Sequence, residues 1–159
     1  MRTVFSELLA ESIQLDERIW VLTGDLGFGV LNKTREAVPE RFLNVGAAEQ
    51  LMLGTAVGLA HNKKIPLCYS ITPFLIFRPF EYIRNYVSHE GTPIKLIGSG
   101  RGKDYGHLGF SHWATDDDVL DFFPNIIKFR PNTEQDLRNC WENFLYNNKP
   151  SYLNITRSA

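Results

Sequence analysis

The stretch Asn44-Val45-Gly46-Ala47-Ala48-Glu49-Gln50 sets one carboxylate at a junction where chemistry is possible. Before it, Arg41-Phe42-Leu43-Asn44-Val45 reads as a strand that stops at Gly46. After it, residues 47–61 read as an alanine- and glycine-rich helix with no polar face of any size, which protein must enclose on most sides. Glu49 falls in the first turn of that helix. The helix dipole favours an acid there by about 0.3–1 kcal/mol, which is enough for a purely structural role. A buried carboxylate also needs either a partner or a shared proton, and either makes it a candidate acid. On these grounds alone, structure and catalysis explain Glu49 equally well.

Three other stretches could carry chemistry. Gly24-Asp25-Leu26-Gly27-Phe28-Gly29 is glycine-rich but is not the G-x-G-x-x-G of a dinucleotide site, and no acid closes a second strand at the right distance. It reads as a tight turn in which Asp25 can still face a ligand. Ser70-Ile71-Thr72-Pro73-Phe74-Leu75-Ile76-Phe77-Arg78-Pro79-Phe80 puts Phe74, Phe77 and Phe80 just after a strand. Core packing is the default for aromatics, but their faces also suit a flat heterocycle. Residues 99–113 form a glycine-rich loop holding Arg101, Lys103, His107 and His112, and loops of that length without structure of their own are usually functional. The two histidines lack the further ligands that a metal needs, so no metal site is expected from this chain. Histidine, which titrates near neutrality, suits proton transfer to substrate.

These residues must be positioned by regular elements. Hydrophobic periodicity predicts helices over 4–17, 47–61, 77–87 and 134–146, with strands over 19–22, 41–45, 66–70, 94–98, 126–129 and 151–155. Thr115 and Thr133 are read as helix caps, the first before Asp116-Asp117-Asp118. The alternation implies a single α/β domain over 1–159, a three-layer, mostly parallel sheet with helices on both faces. Ligands in such sheets bind beyond the carboxyl ends of the strands, where all four stretches fall. A net charge of −1 without a basic cluster argues against nucleic-acid binding. No apolar run approaches the roughly 20 residues of a membrane span. Cys68 and Cys140, far apart, fit free thiols in a reducing compartment, hence the cytoplasm.

Taken in order, the four loops resemble the pyrimidine-binding domain of the transketolase family, which includes deoxyxylulose-phosphate synthase and the beta subunits of 2-oxo acid dehydrogenases. The resemblance covers about 4–157. Its strongest part is Arg41-Phe42-Leu43-Asn44-Val45-Gly46-Ala47-Ala48-Glu49-Gln50 with Met52 and Gly54, followed by Phe74, Arg78 and Arg84, then Gly106-His107-Leu108-Gly109-Phe110-Ser111-His112, then Pro124-Asn125 and Arg130-Pro131. It implies thiamine diphosphate chemistry. Glu49 would hydrogen-bond a ring nitrogen of the aminopyrimidine and promote its imino form. Phe74 and Phe77 would stack on that ring, with Arg78 and Asp25 near the cofactor. His112 would face the substrate as a proton shuttle.

Many sugar-using relatives carry a histidine where this chain has Gly100 and an aspartate where it has Leu108. Arg101, Lys103 and His107 give the loop a different polarity, expected to favour an anionic or unusual sugar. The family's G-D-G…N motif for diphosphate and Mg²⁺ has no counterpart here, and Gly24-Asp25-Leu26 does not supply it. The diphosphate-binding and C-terminal domains are read as absent from this chain. The expected assembly is a heterotetramer with a diphosphate-binding subunit that brings the Mg²⁺ ligands, with the helix at 47–60 as a pyrimidine-domain homodimer contact through Gly54 and Gly58. The expected function is the small subunit of a split transketolase that transfers a two-carbon ketol unit between sugar-like substrates. The alternatives are a decarboxylating deoxyxylulose-phosphate-synthase-like or 2-oxo acid enzyme subunit, and a non-catalytic module.

Overall fold

The computed structural model describes residues 1–157. Its elements follow in the order α1 (Arg2–Leu15), β1 (Ile19–Thr23), α2 (Asn32–Ala37), β2 (Phe42–Asn44), α3 (Glu49–His61), β3 (Ile65–Ile71), α4 (Thr72–Phe77), α5 (Phe80–Tyr82), a π-helical segment (Ile83–His89), β4 (Lys95–Ser99), α6 (Asp116–Leu120), β5 (Ile127–Phe129), α7 (Glu134–Tyr146) and β6 (Ser151–Ile155). The six strands form one sheet in the order β2-β1-β3-β4-β6-β5, and every pairing is parallel.

Strand residues alternate between two cores, which is why the strands read as continuous apolar runs. Val21, Leu67, Tyr69, Ile97 and Leu153 face α1 and α7 through Phe5, Leu9, Leu137, Trp141 and Phe144. Leu22, Cys68, Leu96 and Tyr152 face α3 and α4 through Met52, Leu53, Leu75 and Ile76. Both cysteines are free, and burial pushes the Cys68 thiol far above its usual range. No helix of the described residues is long and apolar enough to cross a membrane.

Several local readings change. Helix α2 forms over Asn32-Lys33-Thr34-Arg35-Glu36-Ala37, where charge hides any apolar period. The aromatic helix begins at Thr72, five residues earlier than its pattern shows, and breaks at Pro79 before resuming as a π-helix. Thr133 caps α7 in a capping box, whereas Thr115 makes no side-chain cap on α6. Helix α3 is buried on one side only. Glu49, Met52, Leu53, Ala56 and Val57 point inward, while Gln50, Leu51 and Gly58 are exposed. Gly54 lies against the ring of Tyr82 in the same chain, so its small size serves this fold.

Candidate active site

The register aligns Thr23 with Asn44 and Tyr69, and Ile71 with Ser99, so the carboxyl ends of β1 to β4 form one edge. The chain reverses its direction across the sheet between β1 and β3, which opens a crevice there. Glu49 enters that crevice from the first turn of α3 and is 2% exposed. A β-carbon on Gly24, just past the end of β1, would lie 3.2 Å from Glu49 Oε1, so a side chain there would crowd the carboxylate. On the β3 side, Ser70 donates its hydroxyl to Oε1 at 3.2 Å.

The remaining contact comes from Arg78. Its Nη1 donates to both carboxylate oxygens of Glu49 at 2.9 Å. The same guanidinium lies over the Phe74 ring, 3.8 Å from its centroid. The Phe74 and His112 rings meet at 4.8 Å, inclined by 69°. Glu49, Arg78, Phe74 and His112 therefore form one continuous cluster drawn from three separate loops. The sequence offers no local sign of the Glu49–Arg78 pair, because α3 and α4 lie on different crossovers. Ser70 and Gly24 fall within two of the stretches marked in the sequence, but nothing local to either shows that it meets Glu49.

The other expected residues spread around this cluster. Asp25 is exposed in a left-handed turn (φ 57°), exchanging hydrogen bonds with Asn44: its N–H donates to Oδ1 at 3.0 Å, and Nδ2 donates to its carboxylate at 3.3 Å. Phe77 is 45% exposed at the end of α4. His107 is exposed in a 3₁₀ turn. His112 is half-buried, with Nδ1 3.0 Å from Ser111 Oγ. Arg101, expected to face substrate, is turned into the fold. It donates to Asn154 Oδ1, Asn132 Oδ1, Pro131 O and Asn154 O, which uses four of the five N–H bonds a guanidinium has. Its position holds the root of the loop and leaves little for a ligand.

That loop is anchored more firmly than its glycine content implies. Asp104 accepts from the backbone of Arg101 and Arg157 and from Thr156 Oγ1. Burial pushes its pKa up, but these hydrogen bonds outweigh burial and hold the carboxyl below the usual range. Asn154 Nδ2 shares its two N–H bonds among Thr72 Oγ1, Gly100 O and Tyr152 OH, which ties β6, α4 and the loop together. Lys103 stacks its ammonium 4.2 Å from the Trp113 ring centroid. Among the described residues, no three of His, Cys, Asp and Glu converge so as to hold a metal ion.

Comparison with known proteins bears directly on this arrangement. The family model described as transketolase, pyrimidine binding domain, matches residues 1–159. The 6-deoxy-6-sulfo-D-fructose transketolase subunit SqwH of Clostridium sp. (strain MSTE9) is 30% identical over 159 residues, spanning 99% of this chain and 49% of that protein. A putative transketolase C-terminal section of Methanocaldococcus jannaschii is 31% identical over 159 residues, covering 99% of this chain and 50% of its own. A solved structure described as a split gene transketolase, inactive beta4 tetramer, superimposes with a TM-score of 0.85 at 30% identity, across 99% of this chain and 51% of that one. The chain thus spans about half the length of these relatives.

Proposed function

The chain belongs to the transketolase family as a pyrimidine-binding domain, and from that premise we propose that it is the pyrimidine-binding part of a split, thiamine-diphosphate-dependent transketolase. The observation that carries the reading is the Glu49 cluster. A carboxylate 2% exposed in the switch-point crevice, with an aromatic face next to it and a histidine at that ring, fits an amino-substituted heterocycle. When bound, thiamine diphosphate supplies an electron sink for a carbanion formed on the donor sugar.

The roles of this chain follow from its chemistry. Glu49 is the hydrogen-bond partner of a ring nitrogen, made strong by exclusion of water and held in place by Ser70. Phe74 offers a face on which the ring stacks, and Phe77 borders it. Asp25 lies at the same edge of the sheet. His112, in edge contact with Phe74, is the group that gives or takes a proton at a substrate hydroxyl, with His107 further along the same loop. Residues for the diphosphate and Mg²⁺ belong in this reading to a second subunit. The assembly is a heterotetramer built on a pyrimidine-domain homodimer, which would cover the exposed face of α3 at Gln50, Leu51 and Gly58. The reaction is transfer of a two-carbon ketol unit between sugar-like substrates in carbohydrate metabolism, placed in the cytoplasm, where two free thiols persist.

Calorimetric titration of thiamine diphosphate and Mg²⁺ into the chain, alone and with the diphosphate-binding subunit, tests this. Binding to the assembled complex that is lost in Glu49→Ala and Phe74→Ala is the expected result. Failure of a confirmed complex to bind would rule the reading out. Tight binding by this chain alone would refute the assignment of the diphosphate site to a partner.

A further inference from the structure

Arg78 uses both features on which the cofactor ring is expected to rest. Its guanidinium is flat and cationic, lies 3.8 Å from the Phe74 centroid and donates to both Glu49 oxygens at 2.9 Å. A separation of 3.8 Å is the contact distance of two π-surfaces, so no further planar group fits between them. On its other flanks the carboxylate lies beside the bare backbone at Gly24 and accepts from Ser70 at Oε1, so Arg78 is the group that meets both of its oxygens. The Glu49 side chain is 1% exposed, whereas that of Arg78, which covers it, is 45% exposed. The covering group is therefore the one that can swing into water.

We propose that the Arg78 guanidinium and the aminopyrimidine ring are alternative occupants of one place, so that Arg78 releases both Glu49 and Phe74 when the ring enters. The proposal rests on the function proposed above. Its physical basis is charge matching. A carboxylate buried this deeply needs a strong hydrogen-bond donor at all times, and Arg78 is that donor until a ring N–H takes over. Removing Arg78 does not require backbone movement. The residue ends α4 with helical dihedrals (φ −65°, ψ −46°), and its carbonyl accepts from Gln50 Nε2 at 3.3 Å, so side-chain rotation alone clears the site. Arg78 thus keeps the crevice ordered and Glu49 in place, at the cost of competing with the cofactor.

The test uses the full chain assembled with its diphosphate-binding subunit. Titration of thiamine diphosphate with Mg²⁺ is compared for wild type, Arg78→Met and Arg78→Lys, and phenylglyoxal labelling of Arg78 is followed by mass spectrometry with and without cofactor. Loss of a competitor held by an ion pair and a cation–π contact tightens binding in Arg78→Met, on the order of three- to tenfold. Labelling of wild-type Arg78 rises severalfold on cofactor saturation, because its guanidinium becomes free. Arg78→Lys keeps the charge needed for folding but lies poorly on the ring, so it binds with an affinity between the other two. Tenfold weaker binding in Arg78→Met, together with wild-type Arg78 that stays protected from the reagent at cofactor saturation, would mean that Arg78 stays on Glu49 with the ring bound. That result overturns the exchange and leaves the function intact. Equal affinities would also overturn it. Absence of binding by every variant, wild type included, would bring down the function and the exchange together.

Discussion

Gly100→Ala probes how the histidine loop is held, because the structure makes its cost calculable. Gly100 has φ +91°, in the left-handed region, and a β-carbon there would lie 2.6 Å from two ring atoms of Tyr105. The backbone strain for an L-residue is about 1–2 kcal/mol. Moving the Tyr105 ring adds an overpacking cost of about 1–3 kcal/mol. Its hydroxyl would then leave Ser99 Oγ, 2.9 Å away, losing about 1 kcal/mol more. The total of about 4 kcal/mol is large against the stability of one domain.

The fold need not absorb all of it. Residues 101–113 can detach as a unit, which limits the global loss to what the loop itself contributes. The expected signature is therefore uneven. Amide hydrogen exchange across 101–113 should rise by more than tenfold, while urea denaturation shows a smaller loss, on the order of 1–2 kcal/mol. The same contact leaves no room for a histidine at residue 100 in this loop conformation. Unchanged exchange together with unchanged stability would refute the idea that Tyr105 pins the loop on Gly100.

Leu108→Asp changes a position 50% exposed, so stability should stay within about 0.5 kcal/mol; under the proposed function, donor preference in the assembled complex should shift towards ketose phosphates such as xylulose 5-phosphate. An unchanged donor profile would count against the loop as a specificity element. Lys95 is buried at the opposite edge of the sheet, donating to Asn147 Oδ1 and Lys149 O, and burial lowers its pKa to about 8. A lysine depressed in the folded state binds fewer protons folded than unfolded between about pH 8 and 10.5, so stability rises across that window and the penalty, about 3 kcal/mol, is full below it. Lys95→Met removes the penalty but leaves two acceptors without this donor at about 1 kcal/mol each. It should gain on the order of 1 kcal/mol in urea denaturation at pH 7 and become less stable than wild type by about 2 kcal/mol above about pH 10.5, where only the two lost hydrogen bonds remain; a difference that does not vary with pH would contradict the burial argument.

The sequence made the sheet and the four loops legible because buried parallel strands and strand-to-helix turns leave strong local marks. Ile19-Trp20-Val21-Leu22 is apolar on both faces, Ile94, Leu96 and Ile97 mark β4 despite Lys95 between them, and Thr133 stands at the start of α7 as the cap its residue type implies. Three members of the central cluster, Glu49, Phe74 and His112, were visible for the same reason, each at a marked turn. What stayed hidden depends on contacts between crossovers. Arg101 reads as a loop cation, yet its partners Asn132 and Asn154 lie far along the chain and turn it inward. Arg78 reads as a neighbour of the cofactor, yet which oxygen atoms it meets is decided by where α3 and α4 dock. Helix α2 lacks an apolar face and is stabilised by tertiary contact with α1 rather than by its own pattern.

The distribution of exposed side chains makes the same point about the site as a whole. Phe28, Leu51, Phe77, Leu108 and Phe110 are all more than two-fifths exposed, and all lie on segments that leave the carboxyl edge of the sheet or on the first turn after it. The opposite edge is mixed: Arg18, Lys63, Lys64 and Asn148 share a cleft with Ala60, Ile65, Leu145 and Tyr146, and Leu15 at the end of α1 is 87% exposed. Exposed apolar groups on adjoining loops are costly unless something covers them. A flat cofactor ring meeting only Glu49 and Phe74 would leave most of that apolar edge uncovered. Under the proposed function, that uncovered rim calls for a second protein surface over the carboxyl edge, with Arg78 serving as a temporary cover at its centre.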